Sequence, residues 1–523
     1  MHTNPSMEIP FYHYILLFLF LYFLTKHLVQ KSRRLPPSPA LSLPIIGHLY
    51  LFKKPLHRTF AKLANQYGPV LVMRLGSRPS IIVSSPTLAE ECFTKNDIVF
   101  ANRPRLLAGK HLGYNYTTLA WAPYGHHWRN LRRIASLELL SSNRLQMFYS
   151  IRVDEVKSLI HRLCQRSEEG GDQFQAVDMK STFFELTLNV MMRMIAGKQY
   201  YGENVEELEG ARKFKKIVME SFELSGATNI GDFLPVFKWV GSRGLEKRLV
   251  VLQGKRDKFM QDLIEEHRRR RNGDPAFEER GKTMIDVLLS LQEAEPEYWI
   301  DTSARTMEWT LSLLLNNPET LMKAQAEIDN HIGQSRLIEE SGIAKLPYLC
   351  GIINETLRMY RAAPLLVPHE SSEECTVGGY HVPLGTMVLV NAWGIHNDPK
   401  IWEEPRKIKP ERFQSPEGER KDGIMLLAFG VGRRGCLGEG FAMRIVGLAL
   451  GSQIQCFEWR RIGKEMVDMN EGGGVTMPKA QPLLAMCRPR STMVALMTGW
   501  GLMRVYSFYA KKILRAALIK LLC

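Results

Sequence analysis

Ala428-Phe429-Gly430-Val431-Gly432-Arg433-Arg434-Gly435-Cys436-Leu437-Gly438-Glu439-Gly440 is the stretch on which the reading of this chain turns. Glycines crowd both sides of a single cysteine, and two arginines sit among them. Glycine costs conformational entropy inside a helix or strand, so such a cluster marks backbone that bends sharply or is closely approached. The residues that follow, Phe441-Ala442-Met443-Arg444-Ile445-Val446-Gly447-Leu448-Ala449-Leu450, read as a helix. Cys436 therefore sits in a tight loop just before a helix N-terminus. The positive end of a helix dipole lowers a thiol pKa and favours the thiolate. A thiolate on a glycine-built platform can ligate a flat cofactor from below. Most lone cysteines are buried structural residues, and a cysteine among glycines does not by itself overturn that.

The full spacing Phe429-x-x-Gly432-x-Arg434-x-Cys436-x-Gly438 carries more. It resembles the haem loop of the cytochrome P450 family at each defining position. The resemblance implies a fold that is mainly α with a small β-sheet, and haem (iron protoporphyrin) as cofactor. It makes Cys436 the axial ligand of the iron and Arg434 a partner for a haem propionate. Phe429 is expected to pack beside the thiolate, and Gly438 belongs to the same cofactor-binding loop. Thiolate ligation of haem iron pushes electron density that favours O–O cleavage.

The chain has 523 residues, 45% of them hydrophobic, which is ample for a large core. Length alone suggests several domains, but haem-thiolate monooxygenases fold as one large helical unit. The net charge is +15 and the pI about 9.3. No compact basic motif with interleaved aromatics supports a nucleic-acid partner, so an anionic membrane surface or an acidic redox partner fits the charge better. Eight scattered cysteines without a CxxC pair argue against a disulfide framework and a zinc site, and suit a reducing cytosolic face.

Residues 1–30 contain an apolar run from Ile9 to Val29, close to the length that spans a bilayer if its ends snorkel. A cleaved signal peptide is disfavoured: the N-flank lacks Lys and Arg, and no small-residue cleavage site follows. Lys26, Lys31, Arg33 and Arg34 come after the run, which by the positive-inside rule keeps the rest of the protein cytosolic. The expectation is a single-pass anchor in the endoplasmic reticulum membrane. Leu35-Pro36-Pro37-Ser38-Pro39 then stiffens the chain and resembles the hinge of membrane-anchored family members. The monooxygenase domain is expected over residues 31–496. Residues 497–523 lie beyond the resemblance, with Val505, Phe508, Ile513 and Leu514 near helical spacing among Lys511, Lys512 and Arg515. They read equally as a basic amphipathic helix on a membrane or as translation past the true end.

Residues 67–85 read as a small sheet and most of the remainder to residue 360 as helix. Arg103–Thr118 and Phe222–Val240 read as loops that, by the resemblance, help to choose the substrate, as do Leu365, Leu366, Val367, Val475 and Thr476. Arg268–Arg271 reads as a solvated helix face. Trp128 and Arg132 share a helix face at i, i+4 spacing. That Trp-x-x-x-Arg spacing resembles the family helix that binds a propionate, whereas Arg129 and Arg133 point elsewhere. Glu355, Arg358 and Arg412 resemble the family's buried Glu–Arg–Arg network, which holds the haem-loop scaffold rather than doing chemistry. His369 is a further propionate candidate, against the common structural role of a lone histidine. The sequons at Asn115 and Asn354 are discounted as cytosolic.

One stretch departs from the family pattern. Asp301-Thr302-Ser303 matches the second half of the expected Ala-Gly-Thr-Asp-Thr-Ser of the oxygen-activating helix. The Ala-Gly and the apolar lead-in are missing, which resembles an internal deletion of about sixteen residues, or some 25 Å of helix. By resemblance Asp301 and Thr302 are the catalytic acid and Thr that deliver protons during O–O cleavage, and the deletion bears on their reach. Asn317 is expected to cap the next helix, with Pro318 at its first position.

The resemblance runs over about residues 35–496 and is nearest to plant microsomal haem-thiolate monooxygenases of the isoflavone hydroxylase-like branch. It implies insertion of one oxygen atom of O₂ into a small hydrophobic substrate, in the range of phenolic or aromatic specialised metabolites. Electrons come from NADPH through NADPH-cytochrome P450 reductase, since no nucleotide-binding glycine fingerprint follows a strand here. A haem-binding but catalytically dead variant, and a peroxide-using or isomerising haem-thiolate enzyme, stay open as alternatives.

Overall fold

In this computed structural model residues 34–497 are described, apart from residue 40 and segments 170–172, 203–207, 226–228, 239–242, 274–282, 285–296, 415–419, 422–423 and 475, together with scattered positions between 13 and 25. The expected anchor and the 498–523 tail lie outside the described residues, as does Val475. Among the described residues no helix is long and apolar enough to cross a membrane.

The chain is mainly helical. After α1 (Leu56–Tyr67) comes the expected hairpin β1 (Val70–Leu75) and β2 (Arg78–Val83), in which Leu71 lies opposite Ile82. Helices α2 (Pro86–Phe93), α3 (His126–Ile134) and α4 (Tyr149–Glu169) follow, then strand β3 (Gln175–Asp178). The next helices are α5 (Met179–Ala196), α6 (Leu208–Ser225) and α7 (Arg243–Gly273). The central helix is α8 (Glu297–Asn316), followed by α9 (Pro318–His331) and α10 (Pro347–Met359). Short strands β4 (His369–Glu370), β5 (Cys375–Val377), β6 (Tyr380–Val382), β7 (Met387–Val390), β8 (Arg420–Lys421) and β9 (Ile424–Met425) lead to α11 (Glu439–Cys456). Strands β10 (Phe457–Arg461) and β11 (Leu484–Pro489) complete the fold. One sheet runs β1-β2-β7-β4, with β2 and β7 parallel, and another runs β10-β11-β3. The 103–118 loop contains a helical turn at Leu107–His111, and α6 continues to Ser225, which shortens the second expected loop. Arg268 and Arg269 are exposed on α7, as expected of a solvated face.

Helix α8 is buried nearly all round from Asp301 to Leu315, the mark of a helix inside a core rather than on its surface. It packs against α5, α10 and α11. Three of its hydroxyls bond within the helix: Thr306 donates to the Thr302 carbonyl at 2.9 Å, Thr310 to Thr306 at 2.8 Å and Ser312 to Glu308 at 2.8 Å, whereas the buried Ser303 Oγ has no partner among the described residues. Asn317 precedes α9, with Pro318 in the first turn, but its side chain does not cap that helix. Instead Asn317 Nδ2 donates to the Leu313 carbonyl at 2.7 Å and closes the end of α8. That corrects the capping expectation: the orphan carbonyl behind Asn317 won the side chain.

Helix α10 begins at Pro347, and its free amides are taken by Glu327 of α9, which accepts from the Tyr348 and Leu349 N–H groups at 2.7 and 2.9 Å. Farther along α10 the Glu–Arg–Arg network forms as expected. Arg358 Nε and Nη2 donate to Glu355 at 2.7 and 2.8 Å, and Arg412 Nε at 3.2 Å. Gly351 lets this helix meet the Arg412 segment, because a Cβ there would stand 2.4 Å from the Pro410 carbonyl oxygen.

Candidate active site

The cysteine loop is two 3₁₀ turns, Leu427–Phe429 and Gly432–Arg434, set immediately before α11. Gly432 has φ +72°, and a Cβ there would lie 2.5 Å from the Phe93 carbonyl and from Asp97 Oδ1, so only glycine fits. The Cys436 N–H donates to the Phe429 carbonyl at 2.8 Å, which fixes the two expected neighbours together. The thiol is the exposed one among the seven described cysteines, all of them free. Protein nevertheless surrounds it, and this desolvation pushes the thiol up. The backbone N–H groups of Gly438 and Glu439, at the start of α11, and the charge of Arg132 act the other way. The expectation that the helix end alone lowers the thiol is corrected: in the protein by itself, burial wins. A metal cation at the sulfur reverses that balance, since a coordinating thiol is deprotonated outright.

Beside the thiol lies a knot of cations. Arg132 Nη2 donates to the Gly435 carbonyl at 2.9 Å, and its guanidinium lies 5.5 Å from the Trp128 ring centroid. The Arg434 guanidinium sits 4.4 Å from the same ring. Arg434 donates to the carbonyls of Ala101, Leu119 and Ala122 at 2.7, 3.1 and 2.5 Å, and Trp128 Nε1 to that of Leu119 at 3.0 Å. Arg103, which the sequence did not single out, donates to the carbonyls of Val367 and Pro368 at 3.0 and 2.8 Å and leaves its buried Nε without a partner. Burial, together with Arg103 and Arg132, pulls the Arg434 guanidinium down to about 8, and burial pulls Arg103 down to about 9. His369 is buried too. Burial and then Arg103 hold its imidazole well below the usual range, against a hydrogen bond to the Phe100 carbonyl at 2.6 Å. With Nδ1 donating to Phe100, neutral His369 has only an acceptor left on Nε2.

So Trp128, Arg132, His369 and Arg434 come together near Cys436, and Arg103 joins them. Donor-rich, buried and short of anions, this cluster fits a group carrying two carboxylates, and the adjacent sulfur fits its metal. An iron porphyrin has both. Asp301 and Thr302 are placed differently. Asp301 Oδ2 accepts from Arg305 Nε and, at 3.3 Å, from the Thr476 hydroxyl, a partnership that links α8 to a loop far along the chain. Arg361 is another residue without a sequence signal. It is fully buried, donates to the Leu427 carbonyl just ahead of the cysteine loop, and leaves Nε and Nη1 unpartnered.

The Cytochrome P450 family profile matches residues 36–298 and 300–486. The chain belongs to the cytochrome P450 family. It is a haem-dependent monooxygenase, and the break in the match at Trp299 falls where the sequence looks shortened. Among similar proteins is Cytochrome P450 81Q32 of Catharanthus roseus, 52% identical, with 89% of this chain and 93% of that one covered. Isoflavone 2'-hydroxylase of Glycyrrhiza echinata is 46% identical, with 91% and 97% covered. These relatives set the chain in the plant, isoflavone hydroxylase-like branch of the P450 family. A zebra fish cytochrome P450 solved with progesterone is similar in fold, with a TM-score of 0.69 at 26% identity, covering 84% of this chain and 100% of that one. P450 monooxygenases act on small substrates with O₂ and in general draw electrons from a redox partner.

Proposed function

We propose that this chain inserts one O₂-derived oxygen atom into a small hydrophobic plant metabolite, phenolic and isoflavonoid-like. Electrons come from NADPH through a separate NADPH-cytochrome P450 reductase. Residues 1–30 anchor the protein in the endoplasmic reticulum membrane, and the catalytic domain faces the cytosol. Substrate class rests on the relatives, one of which is named as an isoflavone 2'-hydroxylase.

The observation that carries the reading is Cys436 on its glycine loop, faced by two backbone N–H groups and flanked by Arg103 and Arg434, which make no ion pair among the described residues. Cys436 would hold the iron, and Trp128, Arg132, Arg434 and Arg103 would hold the propionates, which His369, its Nδ1 proton already given to Phe100, would meet as a donor only in its protonated form. Bound there, the haem supplies the iron centre for oxygen insertion. For its part the protein orients the cofactor with these donors. Leu365 and Leu366, in the turn that leads to His369, offer the substrate apolar surface. Thr302 and Asp301 are the groups assigned to proton movement, with Asp301 Oδ1 the oxygen that the Arg305 and Thr476 bonds leave available.

The reading is tested with the full chain in membranes. A thiolate-type Soret band in the carbon monoxide difference spectrum, and hydroxylated isoflavone formed only with NADPH and reductase, are the expected results. Product that survives without reductase points to peroxide use instead. A second reading is favoured by the break at Trp299 and by the Arg305–Asp301 pair: a haem-binding chain that does not turn over. A full thiolate-type band with no product from any isoflavone tried would establish it.

A further inference from the structure

The acid assigned to proton movement is held by neighbours on α8 and on a loop far along the chain. Asp301 has a side chain only 10% exposed, and Arg305, one turn later on α8, is 19% exposed. An acid placed four residues before an arginine is the favourable orientation of an i, i+4 pair. Arg305 Nε and the Thr476 hydroxyl converge on the same oxygen, Oδ2, and no described residue donates to Oδ1.

Thr476 is itself fastened to α8. The next carbonyl, that of Met477, accepts from Trp309 Nε1 at 2.9 Å. The Lys479 ammonium lies 4.6 Å from the Trp309 ring centroid, and Trp309 stacks on Tyr360 at 4.1 Å. Glu308 accepts from the Leu483 N–H at 2.9 Å, so a fourth tie runs from the same face of α8 to the same part of the chain. Burial raises the Glu308 carboxyl, opposed by that N–H and by Lys180, Lys479 and Arg305. The acid and the 476–483 segment are therefore tied together at four points.

We propose that Arg305 is a positioning residue for Asp301: with Thr476 it holds Oδ2 and leaves Oδ1 to exchange protons. The inference rests on the monooxygenase reading of Asp301. A proton arrives on Oδ1 from water and leaves from Oδ1 to the O₂-derived oxygen that departs as water in the monooxygenase reaction, which regenerates the carboxylate. Arg305 keeps its hydrogen bond to Oδ2 and takes no part in the exchange. Whatever packs on the 476–479 segment shifts Thr476 and hence the acid.

The test uses the haem-loaded full chain in membranes with reductase, NADPH and the isoflavone formononetin as probe. Arg305→Leu is expected to lower product formed per NADPH on the order of tenfold, a fraction of what positioned acid–base groups contribute. The solvent isotope effect on kcat should rise with it. Spectral affinity for formononetin and the thiolate-type Soret band should not change. Arg305→Lys should restore most of the ratio, and Thr476→Val should fall between. Wild-type values of ratio and isotope effect in Arg305→Leu would overturn the proposal, as would equal losses in the Leu and Lys variants. A second measurement does not need turnover: a thermal-melt cycle of Asp301→Asn and Arg305→Leu. Non-additive shifts are expected of a coupled pair, and additive shifts would overturn it. A wild-type chain with the thiolate band but no product defeats the monooxygenase reading alone, and the melt cycle then decides the pair.

Discussion

Glu355 offers the sharpest prediction. The side chain is fully buried, and its carboxylate collects four donors. Arg358 contributes two at 2.7 and 2.8 Å, Arg412 one at 3.2 Å and the Lys409 N–H one at 3.1 Å. Glu355→Ala leaves the Arg358 guanidinium, also fully buried, with only the carbonyls of His396 and Pro405 at 2.6 and 2.8 Å. Removing one partner of a buried ion pair costs about 3–5 kcal/mol, because the other charge stays behind without compensation. Native proteins have about 5–15 kcal/mol in all. At roughly 2 °C per kcal/mol for a large domain, Tm should fall by about 6–10 °C. Loss of haem should accompany it. Arg358 holds the His396 carbonyl, and His396 Nε2 accepts from the Leu427 N–H at 3.2 Å, at the entrance to the cysteine loop. The assay is far-UV circular dichroism melting beside the carbon monoxide spectrum. Lys323→Ala serves as control, since it breaks an exposed pair with Glu411 that is worth little. A Glu355→Ala protein melting within 2 °C of wild type would refute the claim that this carboxylate holds the scaffold.

Cys436→Ser should abolish the thiolate-type Soret band, and a chain that keeps the band would place the iron ligand elsewhere. Gly432→Ala forces a Cβ to 2.5 Å from the Phe93 carbonyl at φ +72°. The left-handed backbone alone costs about 1–2 kcal/mol, so haem retention should drop measurably in a transfer assay to an acceptor protein. Glu471 binds His57 and Arg58 at 3.0 and 2.6 Å. Burial raises its carboxyl, but the His57 hydrogen bond and both cations outweigh that and hold it below the ordinary range. A carboxyl lowered on folding stabilises above its unfolded pKa of about 4.3 and stops doing so as pH falls through the lower folded value. Wild-type stability should thus decline between about pH 4.5 and the folded value, and Glu471→Gln should flatten that limb in acid-denaturation curves.

Where function dictates residue types, the sequence was readable. The cysteine loop, the Trp128–Arg132 face and the Glu355 network all needed particular side chains at particular spacings, and the structure assembles each. The β1–β2 hairpin was readable for a different reason, as two β-rich runs parted by turn residues. Strands β5 to β9 were not, because runs of two to four residues are made into strands by their partners rather than by their own pattern. Arg103, and the tie from Thr476 to Asp301, escaped for a similar reason: the first reaches carbonyls at 367 and 368, the second an acid 175 residues away. The Cys436 thiol went the opposite way from the helix-dipole argument because local sequence carries the dipole but not the burial.

The β10-β11-β3 sheet has a consequence for how the protein is made. Val177 lies opposite Ala485, so a strand from the first half of the chain is completed by one from nearly its last. His57 and Glu471 repeat the pattern. During synthesis β3 emerges long before its neighbour exists, and its hydrogen-bonding edge is open while the intervening helices form. The ribosome must deliver most of the chain before this corner can close. Truncations that remove β11 should therefore leave an aggregation-prone product rather than a smaller folded one.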